Sequence, residues 1–208
     1  MKPTISIIDY QAGNLRSVQK ALEKCGANAV ISADPETIIN SDAVVFPGQG
    51  ACDTSMNNLK NTGLDTVVKT IIELGTPFLG VCLGLQLLLD HSDEGNEPCL
   101  GVIGGKVVSL PDTGKIPHMG WNEVRVLSDH PVFAGMPENG HYYFVHSYVA
   151  VPEDHKLIAA TTSYGVEFCS AVAFKNVVAV QFHPEKSGEL GLQLYRNFVK
   201  FVDENRRV

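Results

Sequence analysis

Four short apolar runs in the first half of the chain, Thr4 to Tyr10, Ala27 to Ser32, Ala43 to Phe46 and Pro77 to Val81, constrain the fold most. Stretches with helical periodicity separate them. Leu15, Val18, Ala21, Leu22 and Cys25 recur at helical spacing behind Asn14 as N-cap, and Gly26 closes that helix. Asp34-Pro35 reads as a cap followed by proline at the first helical position. Leu64, Val67, Val68, Ile71 and Ile72 form another helical stripe, ended by Gly75. Strands alternating with helices pair in parallel through right-handed crossovers. Such strands are buried on both faces and so read as unbroken apolar runs, as these do.

The second half changes character. Trp121 to Leu127, Tyr142 to Val149, Leu157 to Thr161, Val166 to Phe174 and Val177 to Phe182 are β-like, with Lys175-Asn176 as a hairpin tip. Leu190 to Val202 then reads as a closing amphipathic helix, with Leu190, Leu194, Phe198 and Val202 on one face. The expected fold is α/β: one domain over residues 1–208, with a mixed, mostly parallel central sheet flanked by helices.

Composition narrows the function classes. The chain has 208 residues, 44% hydrophobic and 19% charged, enough to bury a core and too apolar for disorder. A formal charge of -7 argues against a nucleic-acid partner, which would call for basic patches. The tail doublet Arg206-Arg207 is too short to alter that. No apolar run approaches the roughly 18 residues that span a bilayer, and the N-terminus lacks a secretory pattern. The 5 cysteines are odd in number, without CxxC pairs or metal-site spacing. They read as reduced thiols of a cytoplasmic protein with no metal centre.

Cys82 is the cysteine with a special setting. It lies in Gly80-Val81-Cys82-Leu83-Gly84, where an apolar strand enters and a helical pattern (Leu85, Leu88, Leu89) leaves. A strand-to-helix turn of this kind holds a nucleophile in strained backbone at a helix N-terminus, where thiolate is favoured. It also offers the Leu83 N–H to a developing oxyanion. Taken alone, Cys82 reads equally well as an inert thiol packed between strand and helix. His183 follows the apolar strand Val177 to Phe182, and Glu185 stands two residues beyond it. Cysteine, histidine and carboxylate make a nucleophile–base–orienter set. Pro47-Gly48-Gln49-Gly50 follows the third strand and reads either as a second oxyanion donor or as a plain turn. It has no Gly-Lys-Ser/Thr ending and is not a phosphate loop.

Three segments, Pro47-Gly48-Gln49-Gly50, Gly80-Val81-Cys82-Leu83-Gly84-Leu85-Gln86 and His183-Pro184-Glu185, together resemble the class I (triad) glutamine amidotransferases, whose fold is flavodoxin-like. Pro117-His118-Met119-Gly120-Trp121-Asn122, Tyr143-Phe144-Val145-His146-Ser147-Tyr148, Ile8-Asp9-Tyr10 and Gly13-Asn14-Leu15 are similar to the glutaminase subunits of imidazole glycerol phosphate synthases. The resemblance spans essentially the whole chain.

It implies hydrolysis of L-glutamine through a thioester on Cys82, with His183 moving the proton and Glu185 orienting it. It implies oxyanion donors at Leu83 and in the Gln49–Gly50 region. Gln86, Glu94, Ser147 and Tyr148 match positions lining the glutamine pocket; Glu94 reads equally well as an exposed loop acid. Trp121, Asn122 and Tyr143 match positions near the mouth facing the partner, a (β/α)₈ cyclase subunit that uses the ammonia in histidine biosynthesis. Tyr142 reads as a core aromatic. No cofactor is implied. Gln49 departs from the family, whose members often carry a small apolar residue there. That leaves a backbone donor intact and bears on how readily the loop switches. A glutaminase serving anthranilate or aminodeoxychorismate synthesis fits the Pro117–Asn122 and Tyr143–Tyr148 segments less well. A non-catalytic scaffold fits the intact Cys82, His183 and Glu185 less well.

Overall fold

A computed structural model describes residues 1–112 and 114–206; Arg207, half of the tail doublet, lies outside them. Chain order runs β1 (Thr4–Ile8), α1 (Leu15–Lys24), β2 (Asn28–Ser32), α2 (Pro35–Ile39), β3 (Ala43–Gly48), α3 (Cys52–Thr62) and α4 (Leu64–Glu73). It continues through β4 (Phe78–Cys82), α5 (Leu83–Gln86), β5 (His91–Ser92), β6 (Gly105–Ser109) and β7 (His118–Val126). The remainder is β8 (Asn139–His146), β9 (Tyr148–Pro152), β10 (Ile158–Tyr164), β11 (Val166–Phe174), β12 (Val177–Val180) and α6 (Gly188–Asn205).

The main sheet follows the order β2-β1-β3-β4-β12-β11-β10-β7-β8. From β2 to β12 the neighbours are parallel, and from β12 onward they are antiparallel. The two halves of the sequence thus become two halves of one sheet. The join falls beside β4 and β12, whose C-terminal ends carry Cys82 and lead to His183. Open α/β sheets place their sites at such strand ends.

Most expected elements are present. Asp34 caps α2, its carboxylate accepting the Thr37 N–H at 2.9 Å. Lys175, at φ 50°, turns the β11–β12 hairpin. The β1, β3 and β4 runs are buried almost throughout.

Besides β5 and β6, which the sequence reading did not anticipate, the structure departs from it at four places. The run Tyr142 to Val149 is two strands: β8 ends at His146, and β9 leaves to pair with β6, Tyr148 opposite Ser109. Ser147 is the corner, its carbonyl taking the Leu110 N–H at 2.9 Å. α3 has no counterpart in the sequence reading, because its buried face (Cys52, Ser55, Met56, Leu59) contains only two large apolar residues. The helical pattern after Cys82 is a single turn, α5, with Leu87 to Leu89 continuing as buried turns. Asn14 precedes α1 in a left-handed conformation, φ 70°, and its side chain does not cap the helix.

The core lies on both faces of the sheet. On one face α6 buries Leu194, Tyr195, Phe198 and Val202, and fully burying such side chains contributes roughly 1.5–3 kcal/mol each. Tyr142 is fully buried against Phe182, ring centroids 4.3 Å apart, as expected of a core aromatic. Among the described residues, no helix is long and apolar enough to cross a membrane.

Candidate active site

β4 delivers Cys82 into a bend at φ 55° and ψ -108°, a conformation strained for any residue but glycine. Close packing makes the bend. A Cβ on Gly84 would lie 1.9 Å from the Phe46 carbonyl oxygen, so α5 rests directly on β3. A Cβ on Gly80 would lie 2.8 Å from the Ala179 Cβ, so β4 and β12 need a glycine there as well.

A cleft of roughly 390 Å³ opens over this bend. Cys82, His183, Leu83, Gln49 and Gly50 line it, as do Gln86, Glu94, Ser147 and Tyr148. The fold therefore gathers the candidate nucleophile, base, oxyanion donors and pocket residues around one cavity, from chain segments far apart. Trp121, Asn122 and Tyr143 stand outside it.

His183 is 1% exposed. Its Nδ1 meets Glu185 Oε1 at 2.8 Å, and the Glu185 side chain is fully buried. Its Nε2 is buried with no partner in hydrogen-bond geometry among the described residues, although Cys82 is close enough to act on its ionisation. That free nitrogen is where a thiol proton could be received. Burial opposes charge on His183 most strongly, but the hydrogen bonding and charge of Cys82 and Glu185 outweigh it and push the imidazole up to about 10. The His183 N–H donates to the Tyr143 carbonyl at 2.9 Å, and the Ser187 hydroxyl donates to the His183 carbonyl at 2.6 Å.

Three contributors were not singled out from sequence. Asn14 donates its amide to Glu185 Oε1, the oxygen that also meets His183. Its turn before α1 suggested a cap, whereas the side chain reaches 171 positions along the chain. Gln181, fully buried at the end of β12, donates to Cys82 Sγ at 3.7 Å and accepts from Gln86 Nε2 at 3.0 Å. A glutamine inside Val-Val-Ala-Val-Gln-Phe was its only sequence signal. His118 and His146 form a buried pair, Nδ1 to Nε2 at 2.9 Å, and His146 Nδ1 donates to the Tyr148 carbonyl at 2.9 Å. Burial, chiefly, pulls His146 down to about 4, so it is neutral and fixes the Tyr148 backbone at the cleft.

Gln86 donates its second amide hydrogen to the Tyr148 carbonyl at 2.9 Å. Glu94 accepts the Cys52 N–H at 2.9 Å through Oε2. Its loop is thereby tied to the start of α3, and Glu94 lines the cleft. The Gln49 side chain lies over Gly13, whose Cβ would sit 3.0 Å from Gln49 Oε1. The residue that departs from the family thus touches the turn carrying Asn14.

Trp121 is 57% exposed and lies opposite Tyr143 across β7 and β8, the rings edge-on at 6.3 Å. Met119 and Ile116 are exposed nearby. Asn122 is half-buried and occupied within the chain, donating to the Ser163 carbonyl at 2.9 Å. No cluster of His, Cys, Asp and Glu among the described residues could hold a metal ion.

Residues 6–201 match the family described as glutamine amidotransferase class-I. The chain is 50% identical over 206 residues to "Imidazole glycerol phosphate synthase subunit HisH" of Thermosynechococcus vestitus, covering 97% of this chain and 99% of that one. It is 46% identical over 199 residues to the protein of the same name from Dehalococcoides mccartyi, covering 95% and 97%. Among solved structures, the Trypanosoma brucei CTPS glutaminase domain with bound acivicin superimposes with a TM-score of 0.74 at 17% identity. That match covers 100% of this chain and 96% of that domain, and shows the fold.

Proposed function

The chain belongs to the class-I glutamine amidotransferase family, and from that premise we propose that it hydrolyses L-glutamine to glutamate and ammonia as the glutaminase subunit of an imidazole glycerol phosphate synthase. One observation carries the mechanism: Cys82, in strained backbone, shares a cleft with His183, which Glu185 backs at 2.8 Å.

Cys82 gives its proton to His183 Nε2 before substrate reacts, and the thiolate Sγ then attacks the side-chain amide carbon of glutamine. The tetrahedral oxyanion is met by the Leu83 N–H and by an N–H from the Gln49–Gly50 turn. His183 returns the proton to the amide nitrogen, the carbon–nitrogen bond breaks, and ammonia leaves. Water then attacks the thioester, giving its proton to His183, and the sulfur departs as glutamate forms. Glu185 holds the imidazole with Nε2 toward the sulfur throughout. Glu94 faces the substrate ammonium, and Gln86, Ser147 and Tyr148 complete the pocket. These steps need no cofactor.

The partner is a (β/α)₈ cyclase subunit that takes ammonia from the mouth of the cleft. The exposed Trp121, Met119 and Ile116, with Tyr143 beside them, support that docking face. Free ammonia is mostly protonated at neutral pH and non-nucleophilic, so a closed passage preserves its reactivity. The whole of residues 1–208 acts as one amidotransferase domain in the cytoplasm.

A glutamine-mimicking electrophile should place one label per chain on Cys82. Turnover should be low for the chain alone and rise with the cyclase and its ligand. Cys82→Ala should abolish glutamine-dependent synthesis in the complex and leave ammonia-dependent synthesis intact. A label on another cysteine, or loss of both activities, would overturn the assignment.

A further inference from the structure

Glu185 is held on one side only by well-formed hydrogen bonds. Oε1 meets both the Asn14 amide and His183 Nδ1. Oε2 is buried and lacks a hydrogen-bond partner in good geometry among the described residues. A buried carboxylate oxygen without a donor is rare, because desolvating it goes uncompensated.

A second orphan lies near it. Tyr195 on α6 is 0% exposed, and its hydroxyl oxygen is buried and without a partner in the same sense. The approach of α6 explains the placement. A Cβ on Gly191 would lie 1.8 Å from the Pro184 carbonyl oxygen, so α6 touches the turn that carries Glu185. Tyr195 stands four residues beyond Gly191 and thus on the same helix face. Its hydroxyl is close enough to the Glu185 carboxylate to act as its donor, and burial followed by the Glu185 charge raises the phenol well above its ordinary range. One oxygen carries a proton and the other a lone pair.

We propose that Tyr195 is a positioning residue whose hydroxyl donates to Glu185 Oε2. The carboxylate is then gripped at both oxygens, by Asn14 and His183 on one and by Tyr195 on the other. The His183 ring is aimed at Cys82 from the C-terminal helix as well as from the start of α1. This rests on Cys82, His183 and Glu185 acting as the triad. It assigns a role in the reaction to α6, which otherwise only packs the core.

Tyr195→Phe removes one oxygen and leaves the ring in place. In glutamine hydrolysis by the full chain with its cyclase partner, kcat should fall roughly ten-fold, the scale of losing one outer-shell partner, with KM within about two-fold. The melting temperature should fall, because Oε2 is left buried without its donor. In a Glu185→Gln background the same change should have little further effect on kcat. A purely structural Tyr195 gives the opposite pattern: an unchanged kcat with a higher melting temperature, from deleting an unsatisfied hydroxyl. That pattern overturns the proposal, as does a raised KM with kcat kept, or an equal loss of kcat in the Glu185→Gln background. Wild-type labelling by a glutamine-mimicking chloroketone separates the two levels. If the label misses Cys82, the triad and this inference fall together. If it lands on Cys82 and Tyr195→Phe turns over like wild type, only the inference falls.

Discussion

Gly84→Ala should cripple glutamine hydrolysis while leaving the chain folded. Gly84 sits in α5, directly after Cys82 and Leu83, with ordinary helical backbone. Alanine is therefore acceptable to the local conformation, and the effect is steric. Its Cβ would lie 1.9 Å from the Phe46 oxygen, where contacts under 3.0 Å do not persist, so the two backbones must separate by at least 1.1 Å. β3 cannot yield easily, because it is paired with β1 on one side and β4 on the other. α5 is one turn long and must move instead, taking the Leu83 N–H and Cys82 with it. Overpacking of this kind costs about 1–3 kcal/mol. For a chain of this size that is roughly 2–12 °C in melting temperature. A displacement near 1 Å of reacting groups can cost about 100-fold in rate. The assay is kcat/KM for glutamine in the complex, alongside thermal melts and the rate of Cys82 labelling. If the variant keeps kcat/KM within about three-fold of wild type, the close α5–β3 contact does not set the position of Cys82.

Asn14→Ala removes the donor on Glu185 Oε1 and should lower kcat roughly ten-fold, on the scale of one hydrogen bond to a charged group, with KM little changed; steady-state kinetics decide it. Trp121→Ala should weaken cyclase binding by about 2 kcal/mol, as loss of an aromatic anchor does, without changing turnover of the isolated chain. Titration of the partner by calorimetry reads the first effect, and equal affinity would remove Trp121 from the interface. Stability should fall on both sides of neutrality. His183, raised to about 10 from 6.5, binds its proton more tightly folded than unfolded, so its contribution is complete below 6.5 and lost as pH climbs through 10. His146, lowered to about 4, is the reverse: between 6.5 and 4 the unfolded chain takes the proton first, costing roughly 3 kcal/mol by the lower limit. Melting curves across pH should show both limbs. His183→Gln should delete the alkaline one alone, and a surviving alkaline limb would contradict the assignment.

The chain's local patterns determined a great deal. The unbroken apolar runs fixed the parallel strands, because burial on both faces leaves no polar register to read. The glycines around Cys82 and the proline after His183 marked two sharp ends of strands, and chemistry clusters at such ends. Tertiary structure decided what local pattern cannot carry. β8 and β9 look like one strand in sequence and separate only because β6, far away in the chain, offers β9 a better edge. α3 forms with a thin apolar stripe because packing, more than propensity, supports a helix in a folded protein. Asn14 resembled a helix cap until folding brought the Glu185 carboxylate to it. Tyr195 resembled core filling until α6 settled on the turn at Pro184. Side-chain partners that only the fold brings together leave no mark on either local sequence. Sequence therefore pointed to Cys82, His183 and Glu185 as the proposed nucleophile, base and carboxylate, while the three-dimensional fold chose the residues packed around them.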